Sequence, residues 1–204
     1  MEIKVLPLGH IQANCYLIKS DNAAIVIDPG FESKSVTDFL IENKDKQRLI
    51  LLTHGHFDHI GGANALRNET DTQIAIGALD NPALADTKYN LSDRFHAKLS
   101  PFSADILFND GDEYTVGDLC FKVLHTSGHT VGGVCYLFKN VLFSGDTLFS
   151  GSIGRTDFYG GNYAELEASV KRLYSLDNDT VVLSGHGEET TIGNEKLYNP
   201  FIRG

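Results

Sequence analysis

The chain has no apolar stretch approaching the roughly 20 residues that cross a bilayer. Its opening, MEIKVLPLGH, lacks the basic segment, long apolar core and small-residue cleavage site of a secretory leader. The expectation is a cytoplasmic protein with no membrane partner. Cysteine is scarce: Cys15, Cys120 and Cys135 are far apart and form no CxxC pair. That excludes a disulfide framework, and their strand-like apolar surroundings predict three buried, reduced thiols. Positive charge is also short, with 17 basic against 27 acidic residues and a net charge of -10, so phosphate backbones are repelled and nucleic acid is not the expected partner. Repeats, low-complexity segments and linkers are missing, and 204 residues suit one core, which predicts a single domain over residues 1–204.

Apolar patterning supplies the elements. Short strands are read at Ile3 to Leu8, Cys15 to Lys19 and Ala24 to Asp28, the last ending at the turn Asp28-Pro29-Gly30. Ser33 to Glu42 carries Val36, Phe39 and Leu40 at helical spacing, and Arg48 to Leu52 returns as a buried strand. A helix through Leu66 and a strand from Gln73 to Ile76 follow, whereas Asn81 to Leu99 reads as short helices or a mobile loop. Strands resume from Ile106, at Glu113 to Val116, Leu119 to Leu124, Gly133 to Phe138 and Val141 to Phe143. A helix from Tyr163 to Tyr174 and a strand from Thr180 to Leu183 close the pattern. Several strands are too apolar to have a wet face, so helices must cover the sheet.

Against this background one stretch stands out. THGHFDH, Thr53 to His59, packs three histidines and an aspartate directly behind the run Leu49 to Leu52. A surface histidine cluster is the plain alternative, but three further stretches repeat the plan of strand, small-residue turn and ligand-type side chain. They are HTSGHT with His129, FSGDTLF with Asp146 and LSGHG with His186. His54, His56, Asp58, His59, His129, Asp146 and His186 exceed what one tetrahedral ion uses and suit two ions that share a carboxylate and a water. Imidazole and carboxylate without thiolate point to zinc, with iron or manganese as alternatives. His125 reads as structural, and His10 and His96 as surface residues.

In this order the motifs resemble the ligand set of the metallo-β-lactamase superfamily, in its branch of small glyoxalase II-like hydrolases. The resemblance implies an α/β fold, a four-layer αββα sandwich with the metals at the edge where the sheets meet. It implies a first site of His54, His56 and His129, a second of Asp58, His59 and His186, and Asp146 between them, with Asp58 and Asp146 also serving catalysis. It further implies that a hydroxide shared by two cations about 3.5–4 Å apart attacks a carbonyl carbon. Asp28 matches the superfamily's early aspartate, which steadies the ligand loop; a turn-forming Asp before Pro-Gly is the alternative.

Substrate is less plainly written. Arg155, in Gly151 to Phe158, falls where glyoxalase II enzymes carry a basic residue toward glutathione, and a guanidinium there clamps a carboxylate. The alternative is a structural pair of Arg155 with Asp157. Asp157 and Glu188 stand where tyrosines are expected, and only 18 residues follow His186, so the helical C-terminal domain of full-length glyoxalase II is not expected here. The GRTDF run is also similar to that of persulfide dioxygenases, which hold one iron. Nucleic-acid-processing members carry an inserted domain that this chain lacks, and a non-catalytic binding module is expected to have lost ligands. The resulting expectation is a dinuclear hydrolase of a small-molecule thioester such as S-lactoylglutathione, with the iron dioxygenase as the rival.

Overall fold

The computed structural model describes residues 1–204. Six strands form the first sheet in sequence order: β1 (Glu2–Leu8), β2 (Ala13–Lys19), β3 (Ala23–Ile27), β4 (Gln47–Leu52), β5 (Ile74–Gly77) and β6 (Ile106–Phe108). β1 to β3 are antiparallel, and β3 through β6 pair in parallel. Every residue of β3 and β5 is buried, as are the last four of β4. Such continuous apolar runs are what a parallel sheet covered on both faces requires.

The second sheet runs β14-β13-β10-β9-β8-β7, from β7 (Glu113–Val116), β8 (Leu119–His125), β9 (Val134–Phe138), β10 (Val141–Gly145), β13 (Val181–Ser184) and β14 (Thr190–Thr191). β11 (Leu148–Phe149) and β12 (Ser152–Ile153) make a separate small hairpin. The helices are α1 (Lys34–Glu42), α2 (Phe57–Ile60), α3 (Ala63–Thr70), α4 (Ser92–Phe95), α5 (Tyr163–Leu173) and α6 (Ile192–Tyr198).

Three apolar clusters define four layers. Ile25, Leu51, Phe121, Tyr136 and Phe143 fill the space between the sheets. Val36 and Leu40 of α1 and Leu66 of α3 pack with Val26, Ile50 and Ile76 on the outer face of the first sheet. Leu166, Val170 and Leu173 of α5 and Ile192 of α6 do the same with Leu142 and Val182 on the second. Asn162 starts α5 by accepting from the backbone N–H groups of Ala164 and Glu165. The fold is therefore αββα, as the motifs implied.

Cys120 corrects the expectation of three buried thiols: it is exposed, while Cys15 and Cys135 are buried. β8 alternates buried and exposed residues from Leu119 to Lys122, so its period of two turns Cys120 outward with Lys122. No helix is long and apolar enough to cross a membrane.

Candidate metal centre

All the ligand-type side chains leave from the carboxyl ends of strands. Thr53 to His59 follow β4, His129 follows β8, Asp146 follows β10 and His186 follows β13. β4 belongs to one sheet and the others to the second, so the residues meet at the seam between them. Two buried tyrosines tie these ends across the seam: Tyr136 donates to the Leu52 carbonyl at 2.7 Å and Tyr16 to the Ser184 carbonyl at 2.6 Å.

The structure brings ligand atoms of His54, His56 and His129 within 4.8 Å of one another, and likewise those of Asp58, His59 and His186. Asp146 stands between the trios, with Oδ1 3.4 Å from His59 Nε2 and Oδ2 3.4 Å from His129 Nε2. Asp58 Oδ2 lies 3.3 Å from His186 Nε2 and 3.6 Å from His59 Nε2. These separations are too long for good hydrogen bonds, but ligand atoms about 2.1 Å from a shared tetrahedral ion sit about 3.4 Å apart. Nε2 of His54, His56, His59 and His129, and Oδ1 of Asp146, are buried without a hydrogen-bond partner. Five orphaned polar atoms facing one space are costly unless a cation fills it.

Hydrogen bonds behind the rings set which nitrogen is bare. His129 Nδ1 donates to the Arg155 carbonyl at 2.8 Å, and His59 Nδ1 donates to Asp28 Oδ2 at 2.9 Å. Thr53 gives its hydroxyl proton to Asp28 Oδ2 at 2.6 Å, leaving its oxygen to accept from His54 Nδ1 at 3.1 Å. Each Nδ1 therefore carries a proton and each Nε2 is the nitrogen that faces the shared space, where a cation can take the place of any proton on it. Burial, reinforced by the neighbouring imidazoles, pushes His54 and His56 well below the ordinary histidine range, so both are neutral. Burial opposes charge on Asp58 too, but His59 and His186 beside it hold its carboxyl well below the usual carboxylate range. At His59 burial works downward and is outweighed by Asp146, Asp58 and Asp28, which raise it to about 10. Three carboxylates around one imidazole are a site built for positive charge.

Asp28 could also be grouped with His54 and His59 as a ligand trio. Its oxygens, however, are taken by the Thr53 N–H and hydroxyl and by His59 Nδ1, so it braces these neighbours. Gly185 explains the small residues of LSGHG: a Cβ there would lie 2.1 Å from Asp146 Oδ1 and 2.7 Å from His59 Cε1.

Arg155 reaches the same cavity as the trios. Its guanidinium donates from Nε and Nη2 to the two Asp157 oxygens, both at 2.7 Å, and lies 3.9 Å from the centre of the Phe158 ring. The structural pair named as the alternative is thus present, and the Arg155 backbone carbonyl orients His129.

Asp80 carried no motif. It is fully buried beyond β5 and accepts from Gly55 N–H at 2.9 Å, Gly132 N–H at 2.7 Å and the Thr130 hydroxyl at 2.8 Å. It thereby joins the loop carrying His54 and His56 to the loop carrying His129. Its place just after a strand end is the one sequence clue. Tyr159 and Tyr163 are exposed, as are His10 and His96, and His125 pairs through Nε2 with the Val131 carbonyl at 2.9 Å.

A family model described as the metallo-beta-lactamase superfamily matches residues 8–186. The chain is 38% identical to a probable metallo-hydrolase, YqgX, of Bacillus subtilis, over 100% of this chain and 99% of the relative. It is also 38% identical to the hydroxyacylglutathione hydrolase GloC of Haemophilus influenzae, over 99% and 98%. Among solved structures, the BLEG-1 B3 metallo-beta-lactamase superposes with a TM-score of 0.91 at 38% identity over the full length of both chains. TTHA1623, solved in a di-iron-bound form, gives 0.86 at 34% identity, covering 98% of this chain and 100% of that one.

Proposed function

The chain belongs to the metallo-β-lactamase superfamily, and from that premise we propose that it is a dinuclear metal-dependent hydrolase that cleaves an acyl thioester of a small thiol. The observation that carries this reading is the pair of trios with one Asp146 oxygen turned toward each. His54, His56 and His129 would hold one ion, and Asp58, His59 and His186 the other, with Asp146 shared. Zinc suits these donors, and iron and manganese do as well; a relative of known structure binds two irons. Bound there, two divalent ions supply a water that ionises near neutral pH and positive charge for the developing oxyanion.

The chain's own residues do the rest. Asp58, ionised in the lining of the cavity, orients the attacking water. Asp28 and the Arg155 carbonyl keep the imidazoles from turning. Water oxygen bonds to the carbonyl carbon and the carbon–sulfur bond breaks with its electron pair leaving on sulfur. One water proton ends on the thiol and the other in solvent, giving a carboxylate. The thioester class is supported by the relative named for hydroxyacylglutathione hydrolysis.

Protein purified without chelators, analysed for metal and assayed on S-lactoylglutathione and other acyl thioesters, tests the reading. Two equivalents of metal and thioester hydrolysis are expected; hydrolysis of no thioester by the two-metal form overturns it. The rival, favoured by the GRTDF segment, is a persulfide dioxygenase and requires one iron per chain with oxygen uptake.

A further inference from the structure

We propose that the cavity over the two trios selects thioesters that are uncharged and apolar on both sides of the scissile bond, in preference to those of an anionic thiol. The proposal rests on the thioester reading above. A cavity of about 490 Å³ opens directly onto His56, Asp58, His129, Asp146 and His186. Leu91, Phe95 and Phe158 form one apolar group of its lining, and Phe149 and Ile153 of the β11-β12 hairpin form a second. Phe158 meets His56 edge-on with ring centres 6.0 Å apart, and Phe149 meets His186 at 6.2 Å. Each trio therefore has an apolar group at its side, and both arms of a thioester lying across the trios meet one.

Charge points the same way. Arg155 is the one lysine or arginine on the lining, and Asp157 already takes two of its donors. Arg94, 5.1 Å from the Phe158 ring centre, stacks on that ring but is not part of the lining. With two of its five N–H donors already on a carboxylate, the charge of Arg155 is largely answered before a substrate carboxylate arrives, in a chain of net charge -10.

The lining is also held in place. The carbonyl of buried Asn90 accepts from Phe57 N–H at 2.9 Å, and its side chain binds the Ala83 carbonyl at 2.9 Å and the Ser92 N–H at 2.9 Å. Phe95 stacks on Phe57 with ring centres 5.1 Å apart yet remains 47% exposed. On the other side, Glu195 accepts from Gly151 N–H at 2.9 Å and Asn199 donates to the Ser152 carbonyl at 3.1 Å, bracing the hairpin. Apolar surface kept bare and rigid above a reactive centre is surface for a ligand to cover.

The test uses N-acetylcysteamine thioesters with acetyl, butyryl, hexanoyl and phenylacetyl groups, beside S-lactoylglutathione, on the metal-loaded protein. We expect kcat/KM to rise about fourfold per methylene. The phenylacetyl ester should exceed S-lactoylglutathione by about tenfold or more, and Phe158→Ala should flatten the series. A second readout avoids catalysis: calorimetry on metal-free protein should find the phenylbutyl thioether of N-acetylcysteamine bound about tenfold or more tighter than S-methylglutathione. Hydrolysis with a flat series, or with S-lactoylglutathione preferred, overturns the selectivity and leaves the thioester reading standing. Tight thioether binding with no thioester hydrolysed does the reverse. Equal binding of the two thioethers sinks the selectivity whatever the rates.

Discussion

Replacing Asp80 by alanine is expected to damage one metal trio and spare the other. The side chain is fully buried and its two oxygens satisfy two backbone N–H groups and one hydroxyl. Each stranded donor costs about 1–3 kcal/mol. Rotation of the Thr130 hydroxyl and water entering the vacated volume bring the sum to about 3–6 kcal/mol, a large share of the 5–15 kcal/mol that holds a domain folded. Asp80→Asn is milder: its oxygen keeps one N–H, its amide meets the other donor to donor, and Thr130 can turn to accept, so about 1–3 kcal/mol is lost. Because Gly55 lies between His54 and His56, and Thr130 and Gly132 follow His129, the stranded donors all flank members of one trio, whereas Asp58 and His59 sit in α2. Losing such support costs about 10- to 100-fold in metal affinity, whereas His59 is held independently by Asp28. Urea denaturation of the metal-free protein measures the first quantity and calorimetric metal titration of Asp80→Asn the second. Equal weakening of both binding events, or none, would refute the reasoning.

Gly185→Ala places a methyl 2.1 Å from Asp146 Oδ1, so at least one of the two expected metal equivalents should be lost; full occupancy by elemental analysis would contradict the crowding. Tyr136→Phe removes a buried hydroxyl from the Leu52 carbonyl and should cost about 1–2 kcal/mol, lowering Tm by about 2–8 °C in a calorimetric scan. An unchanged Tm would mean that this link across the seam contributes nothing. Chelation should also destabilise: a cation at 1,000 times its Kd contributes about 4 kcal/mol, so metal-free protein should melt about 8–16 °C lower and recover on adding metal back. Identical melting with and without metal would mean that the five orphaned atoms are not what binding relieves.

The sequence by itself supplied the candidate ligands and most of the scaffold. Short uninterrupted runs such as Ile25 to Ile27 and Leu49 to Leu52 fit strands covered on both faces, and the helical stripe of Leu166, Val170 and Leu173 is local. Elements of two residues such as β11, β12 and β14, and the short α6 that braces β11 and β12, carry no period long enough to read. The single outward turn of Cys120 depends on β8's register, which its partners fix. Only the tertiary structure decided how the imidazoles are oriented: which nitrogen faces the shared space follows from Asp28, Thr53 and the Arg155 carbonyl, groups distant from several of the histidines they orient. It alone singled out Asp80, whose three partners lie 25, 50 and 52 residues away. It also showed the pair of Arg155 with its neighbour Asp157, a contact that the letters leave as one of two alternatives. Ligand identity is written in local pattern because chemistry restricts residue type. Orientation, pairing and the apolar cavity are sums over contacts between distant segments, and those exist only once the two sheets have closed on each other.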